Sequence, residues 1–142
     1  MDQPPELFRW LIEASADGLW IFDDAGVTTY ANARMAEILG RDPSSMPGLR
    51  VADTLDELGR QHLEVHLAHM HTDVAGEQNV ETYFVRPDGT GVWGLCSWSR
   101  LPEEAAALGQ WLHRITPYDE QRAAREALER SRHQLSQGQQ IA

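Results

Sequence analysis

ASADGLWIFDDAGVTTYANARMAEILG, residues 14–40, decides how this chain is read. Gly18 releases the backbone into Leu19-Trp20-Ile21-Phe22, an apolar and aromatic run that favours a strand. Asp23-Asp24-Ala25-Gly26 carries turn chemistry, and Val27-Thr28-Thr29-Tyr30 returns as a second strand. Asn32 stands where its side-chain oxygen can cap a short helix over Ala33 to Leu39. Gly40 stands where a left-handed residue closes such a helix.

Upstream, Pro5 to Ser15 predicts a helix. Leu7, Trp10, Leu11 and Ala14 fall at i, i+3, i+4 and i+7, which makes one apolar stripe. Downstream, Arg41 to Val51 reads as a loop with one helical turn at Asp42-Pro43-Ser44. Thr54-Leu55-Asp56-Glu57 has capping-box spacing and would launch a helix to about Val74, buried along Leu63, Leu67, Met70 and Val74. Gln78–Val85 and Gly91–Leu101 read as strands around the turn Arg86-Pro87-Asp88-Gly89. Pro102–Ala107 reads as a loop and Leu108–Ile115 as a last strand. Thr116-Pro117-Tyr118-Asp119 then offers an N-cap, a first-turn proline and an acid ahead of a helix from about Pro117 to Leu135. Leu128, Leu135 and Ala142 lie seven apart, with small Ala124, Ser131 and Gly138 between them, a heptad seam too weak to pair strongly. A lone solvated helix is the alternative.

The 142 residues carry 12 Lys and Arg against 22 Asp and Glu, a net charge of −10. That balance disfavours nucleic acid, whose phosphates must be neutralised by cations, and direct contact with an anionic membrane. No apolar run has the length of a membrane span, and Met1-Asp2-Gln3-Pro4-Pro5 has no leader character. Cys96 is the single cysteine, so no internal disulfide forms. These features fit the cytoplasm and are compatible with a soluble part of a larger, membrane-linked protein. There is no glycine-rich phosphate loop, nucleophile elbow or suggestive Cys/His spacing, so no catalytic residue is assigned.

The segments ADGLWIFDDAG, YANARMAEILG, FVRPDGTGVWGL and RITPYDEQRAAREALERS together resemble a PAS domain, from about Leu7 to Thr116. The resemblance implies an α+β fold, a five-stranded antiparallel sheet with helices on one face and a cavity beneath them. It divides the chain into an N-terminal cap helix (1–15), a PAS core (16–116) and a C-terminal linker or coiled-coil helix (117–142). It also implies a sensory module of a multidomain signal-transduction protein, homodimeric, relaying a signal through its C-terminal helix. The output domain, a two-component histidine kinase or a cyclic-dinucleotide enzyme, would lie elsewhere in the parent chain. A ligand-free dimerisation platform and a haem or metal sensor are the alternatives. Arg114 stands where the family's junction usually has Asp, and the coupling residues are expected at Arg114, Thr116, Tyr118 and Asp119.

Aligned to the family, Trp20, Phe22, Val80, Thr82, Phe84, Gly94, Cys96, Trp98 and Leu112 point inward, because side chains alternate along a strand. Met35, Leu39, Leu67 and Met70 would form the helical wall. A small apolar or aromatic ligand could stack on Trp20, Phe22, Phe84 and Trp98, with space left by Thr82 and Gly94. The favoured alternative is that these large side chains simply fill the core. Trp93, Leu95 and Trp111 would face the other side, covered by Leu7, Trp10 and Leu11 from the same chain or a dimer mate. Leu7, Trp10, Leu11, Trp93, Leu128 and Leu135 are thus the dimer-interface candidates.

No cofactor is expected. A photoactive flavin domain needs a Cys between Gly40 and Val51, where none occurs, and Phe84 and Gly94 supply no amide for a flavin edge. Haem would need a helix histidine, His69 first and His66 behind it. His62 and His66 at i, i+4 could chelate a metal but lack a third ligand. The stripe His62/His66/His69 lies beside the leucine stripe and is expected to face solvent, where imidazoles titrate near neutral pH.

Overall fold

The computed structural model describes residues 6–69 and 77–141. Short-range polar chemistry starts and stops most elements. Asp23 Oδ1 accepts from the Ala25 and Val27 amides (3.0 Å each), turning β1 (Gly18–Phe22) into β2 (Thr28–Ala31). Asn32 has extended backbone and its side chain caps α2 (Ala33–Ile38) through the Met35 amide. Gly40, at φ 64°, ends that helix in a conformation costly for other residues. Asp42 caps a 3-10 turn at Pro43–Ser45.

The capping box is displaced. Thr54 lies buried in a 3-10 turn, Val51–Thr54, and its hydroxyl donates to the Val51 carbonyl at 2.7 Å. Asp56 takes over, accepting from the Gly59 amide at 2.8 Å, and starts α3 (Glu57–His69). Met70 and Val74 of the expected buried stripe lie outside the described residues, as does Ala142 of the heptad seam.

The strands β3 (Glu77–Val85) and β4 (Gly91–Arg100) form the expected hairpin, with Gly89 at φ 89° in its turn. The loop after β4 is a 3-10 helix, Glu103–Leu108, and the last strand, β5, runs over Trp111–Pro117. Leu108 belongs to a buried cluster rather than to the strand. α4 follows at Asp119–Ile141. No described helix is long and apolar enough to cross a membrane.

The five strands form one antiparallel sheet in the order β2-β1-β5-β4-β3. β5 is last in sequence and central in space, pairing Trp20 with His113 on one side and Trp98 with His113 on the other. The inner face carries Trp20, Phe22, Phe84, Trp98, Trp111 and Ile115, packed with Met35, Leu39, Met46, Val51 and Leu55. The outer face packs Ile21, Leu101, Ala105 and Leu108 with Phe8, Tyr30 and Leu112. Trp111 and Leu112 therefore exchange the faces expected of them, because β5 begins at Trp111.

α1 (Glu6–Ala14) is rotated from the expected docking. Asn32 Nδ2 donates to the Ile12 carbonyl at 2.8 Å, and Glu13 accepts from the Ala33 amide at 2.9 Å. These bonds turn Ile12 inward and bring Phe8 onto the outer cluster. Leu7, Trp10 and Leu11 remain 70%, 65% and 54% exposed. Trp93 is covered instead by the start of α4, where the Arg122 guanidinium sits 3.8 Å from its ring centroid.

Candidate functional site

A cavity of about 770 Å³ lies between α3 and the inner face of the sheet. It exists because the two covering helices approach the sheet differently. α2 packs tightly at Gly18, where an added Cβ would come within 2.7 Å of Met35 Sδ. α3 has no fully buried residue, and its Leu63 and Leu67 reach the core only in part. The large aromatic side chains therefore leave space beneath α3.

The sheet wall of the cavity includes the expected Trp20, Phe22, Thr82, Phe84, Cys96 and Trp98. Met35 and Leu39 do not line it; both are wholly buried behind it, on the close-packed α2 side. Leu67 packs against the core without lining the cavity, and Met70 lies outside the described residues. Gly94 is roofed over, since a Cβ there would meet Ile115 at 2.8 Å and Phe84 at 3.2 Å. Val51, Leu55, Leu58 and Leu63 supply the opposite apolar wall.

The residue missed by sequence reasoning is His113. It is buried in mid-β5, stacked on Phe22 with ring centroids 4.1 Å apart. Its Nε2 lies 3.0 Å from the Nε2 of His66, whose ring meets Trp98 edge-on at 4.2 Å. The α3 histidine stripe thus faces the cavity rather than solvent alone: His62, His66 and His69 all line it. Burial, and then the neighbouring His66, push the His113 imidazole down to about 3, so it is neutral near pH 7. One imidazole donates and the other accepts, tying α3 to the central strand. The Trp98 indole nitrogen and His113 Nδ1 are buried without a hydrogen-bond partner.

Cys96 lines the same space, and burial pushes its thiol up to about 11, so it is not a thiolate nucleophile. Among the described residues no Asn or Gln lines the cavity, and Cys96 sits on β4, so the donor set there does not fit a flavin. His66 Nε2 is engaged with His113, whereas His69 meets the Val65 carbonyl through Nδ1 at 2.7 Å, which leaves its Nε2 as the ring nitrogen a haem iron could take. Among the described residues no group of three or more His, Cys, Asp or Glu is placed to hold a metal ion.

The four residues expected at the β5–α4 joint occupy distinct roles. Arg114 finds its acid in Asp17, at 3.8 Å across exposed surface. Thr116 does not cap α4. It is a strand residue paired with Leu95, and its hydroxyl donates to Asp17 at 3.2 Å. Tyr118 is buried, and that burial, with Glu81 beside it, raises its phenol above the usual range. Asp119 accepts from the Trp93 amide at 3.0 Å, and Arg125 meets Glu81 at 2.9 Å, fastening the first turns of α4 to β4 and β3.

The family model described as PAS fold matches residues 6–112. No curated protein matches. Among solved structures, the chain is similar to the PAS domain of an HTR-like protein from Haloarcula marismortui, at 20% identity over 78% of this chain and 88% of that one (TM-score 0.63). It is similar to a domain of a sensory box sensor histidine kinase/response regulator from Geobacter sulfurreducens, at 18% identity over 77% and 90% (TM-score 0.63). It is also similar to the PAS domain of a LuxR-family transcriptional regulator from Burkholderia thailandensis, solved with ethanol, at 15% identity over 78% and 96% (TM-score 0.59). At these identities the solved structures speak for the fold alone, whereas the family match takes in most of the sequence. The chain belongs to the PAS family of sensory domains.

Proposed function

We propose that this PAS domain senses a small planar ligand in the cavity beneath α3 and relays its presence through β5 to α4. The output would be a histidine kinase or a cyclic-dinucleotide enzyme in the same parent protein. One observation carries this reading. The cavity meets the central strand at His113, and six residues further on that strand has become α4. A molecule entering between α3 and the sheet meets the His66–His113 pair and so acts directly on β5. Arg114, Thr116, Tyr118 and Asp119 hold the joint through which a shift of β5 reaches the helix. Ethanol in the Burkholderia relative and the kinase context of the Geobacter relative are in keeping with this role.

A homodimer is the second element of the reading. Leu7, Trp10 and Leu11 on α1, and Leu128 and Leu135 on α4, are exposed apolar side chains. Native mass spectrometry of freshly purified parent and Trp10→Ala proteins tests both elements. The parent is expected as a dimer carrying a small co-purified molecule, and the variant as mostly monomer that keeps its occupant. An empty parent that stays empty when small aromatics are added would remove the ligand role. An equally stable variant dimer would remove α1 from the interface.

A further inference from the structure

The cavity has two chemically different walls. On the sheet side Phe22 and Trp98 flank the His66–His113 pair. On the helix side His62, His66 and His69 recur at i, i+4 and i+7, in a chain whose net charge is −10. Among the described residues no Lys or Arg lines the space. The other titratable groups lining the space, among the described residues, are Asp56 ahead of α3, Cys96 on β4, His113 on β5 and, at the β3 edge and turned toward α4 and Trp93, Glu81 and Tyr83. Both acids are engaged elsewhere, Asp56 with the Gly59 amide and Glu81 with Arg125. Cys96 stays a thiol and His113 stays neutral. The polar chemistry offered to an occupant is therefore imidazole above an aromatic floor.

Building on the ligand-sensing reading, we propose that the occupant is a planar aromatic carboxylic acid, its ring against Phe22 and Trp98 and its carboxylate against His62 and His66, bound together with one proton. An ionised carboxylate entering an apolar cavity unpaired is strongly disfavoured. An imidazole beside it gains a proton from solvent, because an adjacent negative charge favours the charged form. His113 suits this event, since a neutral imidazole can accept the hydrogen bond of a protonated His66 and keep α3 tied to β5. A cationic ligand would meet the same imidazoles with the wrong sign.

Titration calorimetry on the whole chain tests this with benzoate and 2-naphthoate, each beside its neutral amide, at pH 6 and pH 8 in buffers of different ionisation enthalpy. At least one acid is expected to bind about tenfold tighter at pH 6, with uptake averaging about half a proton over that interval, while its amide binds alike at both pH values. His62→Gln and His66→Gln should each reduce that pH ratio; His62 is exposed at the cavity rim, so its variant reports without disturbing the core. Acids and amides binding alike, without pH dependence, would overturn the acid proposal and leave ligand sensing standing. Binding of none of the four would overturn both.

Discussion

Asn32→Ala is expected to lose about 3–4 kcal/mol of stability, far more than a helix cap alone is worth. The side chain is 1% exposed and makes four hydrogen bonds. Its oxygen accepts from the Leu19 and Met35 amides, and its nitrogen donates to the Ile12 and Asp17 carbonyls. One residue thereby joins α1, β1 and α2. Truncation strands several buried backbone groups, each costing about 1–3 kcal/mol before relaxation, whereas loss of an exposed cap costs about 1 kcal/mol. Against a typical total of about 5–15 kcal/mol the change is large. Urea unfolding of the parent and variant measures it, and a loss under about 1 kcal/mol would mean that the joint is not held by Asn32.

Mild acid should weaken the fold through His113. Burial lowers its folded pKa to about 3, while in the unfolded chain an imidazole titrates near about 6.5. The unfolded state therefore binds a proton that the folded state refuses. The stability due to the neutral ring is fully present above about pH 6.5 and declines as pH falls toward about 3, by about 1.4 kcal/mol per pH unit. Between pH 7 and pH 5 this amounts to about 2 kcal/mol. His113→Phe keeps a flat ring against Phe22 and removes the titration. Its stability should fall about 2 kcal/mol less than the parent's over that interval, and parallel pH profiles would refute the assignment.

Where a local hydrogen bond or a backbone sign sets an element, the sequence was legible: Asn32, Gly40, Asp23, Asp42 and the Arg86–Gly89 turn stand as expected. The errors arose where tertiary pairing overrode such signals. Thr116-Pro117 has the chemistry of a helix start, but pairing of Thr116 with Leu95 extends β5 to Pro117. Side-chain parity depends on where a strand is set: a β5 over Leu108–Ile115 predicts Leu112 inward, whereas the strand over Trp111–Pro117 turns His113 inward. The histidine stripe of α3 is mostly exposed as expected, at His62 and His69, and only His66 turns toward the sheet, because a helix's rotation is fixed by what it packs on. α3 buries Leu63 and Leu67 only partly, so the adjacent His66 shares the covered side while His62 and His69 stand at the cavity rim. The cavity itself follows from the stand-off of α3, which no residue pattern states.

The central place of the last strand also governs how the chain can assemble. β1 and β4 are joined only through β5, so β1–β2 and β3–β4 share no sheet pairing until residues 111–117 lie between them. The pairing of Gly18 with Ile115 closes almost the whole domain in one contact, the kind of distant closure that slows folding. During synthesis the two hairpins would wait with open edges, exposed to mispairing with other chains. The strand through which the proposed relay runs is thus also the one whose arrival commits the polypeptide to its fold.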